Sequence, residues 1–148
     1  MLSLIFVLLG SPMGPPPCKA LVCVCLQPTD PRLTLRSSAA VFIGQVLNVT
    51  GAAGDTGAGN PDGVPYFQDS VTFAVERSWK GNPPDTVHAA IDFTGPECPA
   101  RFTPKERYLV YAGFRDATYV IGVCTRTTQL RFAQTDLRVL GQPDRTRP

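Results

Sequence analysis

The chain of 148 residues carries 14 Lys and Arg against 12 Asp and Glu, a formal charge of +2, and 43% of it is hydrophobic. Acids and bases are interspersed, with no basic stripe and no basic–aromatic alternation, so no nucleic-acid partner is expected. The stretch 23–141 has the size of one domain around one core.

The apolar run Leu2-Ser3-Leu4-Ile5-Phe6-Val7-Leu8-Leu9 is far shorter than the roughly 20 residues of a membrane-spanning helix, and Gly10, Pro12 and Pro15 to Pro17 end it. Residues 1–22 therefore read as a signal peptide and the protein as secreted or extracytoplasmic, with no membrane span. The leader lacks a basic n-region and an Ala-x-Ala site; Ala20 and Val22 stand at the minus-three and minus-one places for cleavage before Cys23, with a cut after Ala20 as the other choice.

Of the five cysteines, Cys18 would leave with the leader, and Cys23, Cys25, Cys98 and Cys124 form an even set, as in an oxidising compartment. A bond between Cys23 and Cys25 would close a strained, tiny loop, so two long-range bridges are expected. In an extended Cys23-Val24-Cys25, residues two apart project to one side. Both sulfurs then face the domain, and Val24 points away.

Asp30 as N-cap and Pro31 at the first helical position open a short helix with Leu33, Leu35 and Ala39 as its apolar surface, ending before Val41. A strand over 41–49 puts Val41, Ile43, Leu47 and Val49 on one face and Phe42, Gly44 and Val46 on the other. Residues 51–65, rich in Gly, Ala, Asp, Asn and Pro, read as a long mobile loop. Period-two alternation predicts strands over 70–79, with Val71, Phe73 and Val75 inward, and over 86–93, with Val87, Ala89, Ile91 and Phe93 inward. Strands over 107–112 and 118–124 form a hairpin around Gly113-Phe114-Arg115-Asp116. The period then changes: Leu130, Ala133, Leu137 and Leu140 define a helix over 127–140, capped by Thr127 or Thr128 and stopped by Gly141, before a frayed tail over 142–148.

Five strands, one long connection, no βαβ alternation and a closing helix predict a mainly β fold, a five-stranded OB-like closed barrel with a short N-terminal and a C-terminal helix. Trp79, Tyr108 and Tyr111 are read as core and girdle residues, and His88, the only histidine, as an exposed or partly packed strand residue. Asp92, Glu97, Glu106 and Asp116 are scattered acids at strand ends, with no pair at a defined separation, so no catalytic constellation, no enzyme and no cofactor is expected. Asn48-Val49-Thr50 matches the N-glycosylation pattern, which matters only on a eukaryotic secretory route.

The leader ending at C-x-C, the strand Ala40-Val41-Phe42-Ile43-Gly44-Gln45-Val46, Cys98 ahead of Tyr108-Leu109-Val110-Tyr111, and the final Cys124 together resemble the N-terminal, netrin-like domain of the tissue inhibitors of metalloproteinases, in its short bacterial form. The resemblance spans roughly Cys23 to Leu140. It implies bridges Cys23 to Cys98 and Cys25 to Cys124, and inhibition of a zinc metalloprotease partner by the α-amine and carbonyl of Cys23 on the protease zinc. It further implies Val24 in the specificity pocket, Leu26 and Pro28 along the inserted ridge, and Pro96 and Glu97 as a second contact strip. A monomer is expected. Pro99 and Lys105 depart from the family pattern at positions where glycine is usual. Beside this stand a disulfide-stapled binding module without inhibitory activity and, more remotely, a thiol–disulfide redox protein, whose usual C-x-x-C at a helix start in a βαβ setting is missing.

Overall fold

The structure, a computed structural model, describes residues 30–51, 68–92, 100–122 and 124–147. Helix α1 (Pro31–Ser37) begins as expected: the Asp30 carboxylate accepts from the Arg32 N–H at 2.9 Å, and Pro31 occupies the first turn, where no N–H is needed. The strands follow as β1 (Ala40–Gly51), β2 (Gln68–Lys80), β3 (Thr86–Asp92), β4 (Arg107–Arg115) and β5 (Thr118–Gly122). Hydrogen-bonded neighbours run β1-β2-β3-β5-β4, and β4 pairs back onto β1, so the sheet closes on itself. All these pairings are antiparallel except that of β3 with β5, which is parallel. The fold is mainly β, a closed five-stranded OB-like barrel with one short N-terminal and one C-terminal helix. Among the described residues no helix is long and apolar enough to cross a membrane.

Closure creates two apolar layers. Phe42, Val46, Val71, Phe73, Val75, Val87, Ala89, Ile91, Tyr108, Val110 and Ile121 fill the interior. Val41, Ile43, Trp79, Leu109, Tyr111 and Ala133 form a second core that Leu35, Leu130, Leu137 and Leu140 cover. The period-two reading of β2 and β3 thus holds, and β1 along its first half and β4 from Tyr108 to Ala112 are buried on both faces. At Gly44 a side chain would crowd β2: a Cβ there would lie 3.0 Å from that of Phe73.

Four expectations are corrected. Strand β1 does not keep one alternation, because Val46 pairs with Phe73 and Asn48 with Thr72, leaving Leu47 as an extra residue. The bulge turns Leu47 outward, 53% exposed, and brings Val49 against the interior instead of beside Val41 and Ile43. The β4–β5 turn lies later than Gly113-Phe114-Arg115-Asp116: Gly113 pairs with Val120 and Arg115 with Thr118, and the two-residue loop is Asp116-Ala117, with φ of 51° and 60°.

The C-terminal helix is shorter than its apolar stripe. Thr128–Gln129 forms strand β6 against β4, Leu130–Phe132 makes one 3-10 turn, and α2 spans Gln134–Leu140 with Ala133 as N-cap. Neither Thr127 nor Thr128 caps it, since the Thr127 hydroxyl accepts from the Tyr111 N–H at 3.0 Å instead. Nor is the end of the chain frayed. Arg145–Thr146 forms β7 along β2 beyond the reach of β3, and the guanidinium groups of Arg145 and Arg147 both reach the Asp85 carboxylate.

Candidate functional site

Alternating strand direction settles which connections meet. Strands β1, β3 and β5 run one way and β2 and β4 the other. The chain after Gly51, after Asp92 and after Gly122 therefore leaves one end of the barrel. Asp92 and Gly122 are register partners in the parallel β3–β5 pair, so the strand that precedes Cys98 in sequence and the strand that precedes Cys124 end side by side. Cys124 is exposed and disulfide-bonded. It is the only cysteine among the described residues.

The other expected site residues, Cys23, Val24, Cys25, Leu26, Pro28, Pro96, Glu97 and Cys98, lie outside the described residues, as do the leader and most of the loop over 51–65. What the fold brings to this end is the pair of segments on which those residues would be anchored. Two devices position them, and neither was visible in the sequence.

The first follows the Cys98 connection. Gln68, the opening residue of β2, is completely buried; its Nε2 donates to the Phe102 carbonyl at 3.0 Å, and its Oε1 accepts from the Phe102 N–H at 2.7 Å. One side-chain amide thus takes the place of a neighbouring strand. Phe102, 3% exposed, packs edge-on to Phe73 and Tyr108, with ring centroids 5.6 and 5.0 Å away. Thr103 N–H donates to the Tyr108 hydroxyl at 3.1 Å. The chain then turns at Lys105, whose φ of 69° explains why a glycine suits this place; its N–H donates to the Val46 carbonyl and its carbonyl accepts from Gln45 Nε2.

The second device surrounds Cys124. Thr125 folds back on the Gly122 carbonyl, and Arg126 donates from Nε and Nη2 to the two oxygens of Asp136 in α2, at 2.7 and 2.8 Å. The Tyr111 hydroxyl adds a third donor to Asp136 at 2.9 Å. Burial, then the hydrogen bond to the Asp136 carboxylate, pushes the Tyr111 phenol well above its ordinary range, and the same carboxylate holds the Arg126 guanidinium more firmly protonated than usual.

Beside the second of these devices, Asp92, Gly113, Phe114, Arg115, Val120 and Cys124 line a groove of about 300 Å³. Phe114, 59% exposed, stands edge-on to Tyr119, and Arg115 pairs with Asp92 at 3.5 Å across its mouth. Among the described residues no group of three or more His, Cys, Asp and Glu could hold a metal ion. His88 lies on the outer face of β3, its Nδ1 2.9 Å from the Thr72 hydroxyl. Trp79, Tyr108 and Tyr111 are buried, as expected of core residues.

The described residues thus define a closed OB-like barrel that carries a disulfide just past β5. No family model matches the chain, and no curated protein matches it.

Proposed function

We propose that this chain is a secreted inhibitor of zinc metalloendopeptidases that acts as the tissue inhibitors of metalloproteinases do. The observation that carries the reading is that β3 and β5 end side by side at one end of the barrel, with the disulfide-bonded Cys124 just past β5. Cys98 follows β3 in sequence and Cys124 follows β5, an order that suits a double staple on Cys23-Val24-Cys25, with Cys23 bridged to Cys98 and Cys25 to Cys124. Bridged sulfurs would face the barrel and Val24 the partner.

A catalytic zinc keeps one coordination position open, and the α-amine and carbonyl of a single residue close a five-membered chelate ring on it. Cys23 supplies both groups. Val24 enters the pocket beside the zinc, and burying a side chain of its type contributes about 1.5 to 3 kcal/mol. Leu26, Pro28, Pro96 and Glu97 flank it. Pro28 also restricts the free conformations that binding would otherwise have to order.

The test compares protein beginning at Cys23 with the same protein bearing one added N-terminal residue, against a panel of zinc endopeptidases. The free amine should inhibit, and more weakly as pH falls below about 7.7 to 8.0, where an α-amine takes up its proton. The extended form, its amine turned into an amide, should not inhibit. Equal behaviour of the two would exclude chelation and leave a stapled binding module.

A further inference from the structure

The turn that carries Cys124 is held by the C-terminal helix. Arg126, two residues beyond the bridge, has a φ of 64°, a conformation that L-residues seldom adopt unless their surroundings enforce it. Here the enforcement is a planar two-point pair: Arg126 Nε and Nη2 meet Asp136 at 2.7 and 2.8 Å, which fixes orientation as well as distance. Asp136 is 7% exposed and belongs to α2, which is seated in turn through Leu137 and Leu140 on the second core. On the other side of the turn, the Thr125 N–H and hydroxyl both donate to the Gly122 carbonyl, at 3.1 and 2.8 Å. The Thr127 hydroxyl then ties the exit of the turn to the Tyr111 N–H.

We infer that Asp136, acting through Arg126, is a positioning residue for the disulfide at Cys124, so that the C-terminal helix sets the geometry of the stapled end of the protein. The consequence for inhibition rests on the function proposed above; the hold on the bridge does not. Cys124 is exposed, so its bridge is open to thiol attack, and the rate of exchange depends on how freely the sulfurs can be reached. A turn released from Asp136 swings the bridge into more accessible arrangements. A ridge anchored to that turn would also leave its partner sooner.

The experiment uses the full secreted chain with Asp136→Asn, Arg126→Met, and Val71→Ala, which removes volume from the barrel interior and not from the core under the C-terminal helix. Bridges are opened with limiting dithiothreitol and trapped with iodoacetamide, the rate at Cys124 is read by peptide mass mapping, and thermal midpoints are recorded for all variants. Dissociation from an inhibited zinc endopeptidase is followed in parallel. Both network variants should lose the Cys124 bridge about tenfold faster than the parent. Val71→Ala should stay within about twofold of it even with an equal fall in midpoint. In the complex, dissociation should quicken by a similar factor with association unchanged.

Reduction rates that merely follow the thermal midpoint, Val71→Ala included, overturn the positioning role. Faster reduction with unchanged dissociation overturns the link between helix and tip. Where the parent binds no endopeptidase, the inhibitory reading falls and the claim about the tip with it, while the reduction rates still decide whether Asp136 holds the bridge.

Discussion

Replacing Gln68 by Met keeps the length and approximate volume of the side chain and removes both of its hydrogen-bonding ends. In the parent those ends serve the N–H and the carbonyl of Phe102, at 2.7 and 3.0 Å, in a place where Gln68 is fully buried and Phe102 is 3% exposed. No cavity opens, so the loss comes almost entirely from two stranded main-chain groups, each costing about 1 to 3 kcal/mol. The sum is about 2 to 6 kcal/mol, a large part of the stability of a domain this size. Urea unfolding should show the midpoint falling with an unchanged slope, since the surface exposed on unfolding is the same. Amide exchange at Phe102 should accelerate by more than at Val110, in the middle of β4, because the local tie is lost as well as global stability. A change below about 1 kcal/mol, with exchange at Phe102 moving only in step with Val110, would refute the idea that one buried amide substitutes for a strand there.

Ala117→Gly should stabilise by about 1 kcal/mol in thermal unfolding, because φ at this turn position is 60° and the resulting Asp-Gly is a favoured two-residue hairpin loop. Tyr111 keeps its proton more tightly when folded than when unfolded, so its contribution is complete below pH about 10 and is lost as pH rises beyond it. Denaturation series at alkaline pH should therefore show the parent losing up to about 1.4 kcal/mol per pH unit more than Tyr111→Phe. Asp85→Ala removes the carboxylate that Arg145 and Arg147 share; Asp85 is 77% exposed, so global stability should fall by no more than about 1 kcal/mol. The Arg147 N–H, bonded to the Glu76 carbonyl, should exchange much faster in that variant than in the parent.

Much of the barrel is legible from local pattern. Val71, Phe73 and Val75, or Val87, Ala89 and Ile91, alternate because one face of each strand meets a closed interior, and that constraint is written at every second position. Asp30 and Pro31 announce α1 because the requirements of a first turn are local. Bulges are not local in this sense. Nothing at Leu47 marks it as the extra residue; the curvature needed to close β1 onto both β2 and β4 decides that. Gly113-Phe114-Arg115-Asp116 read as the turn, but Gly113, Phe114 and Arg115 pair with Val120, Tyr119 and Thr118 as strand, which moves the turn to Asp116-Ala117. Thr127 had the chemistry of a helix cap and was claimed by Tyr111 instead.

The candidate site divides along the same line. A C-x-C placed after an apolar leader, two distant cysteines and the residues between them are statements about sequence positions, and one-dimensional order is enough to raise them. That the strands preceding Cys98 and Cys124 in sequence end side by side depends on the parallel β3–β5 pair, which no short segment encodes. Gln68 and Asp136 read as ordinary polar residues, since a side chain advertises its donors and acceptors but not the partner 34 or 10 residues away that will use them. Composition and periodicity determined strands, helix starts and cysteine parity because those respond to neighbours along the chain. Closure, bulges, the turn and the buried polar clasps were decided in three dimensions, where every main-chain group taken from water had to find a partner.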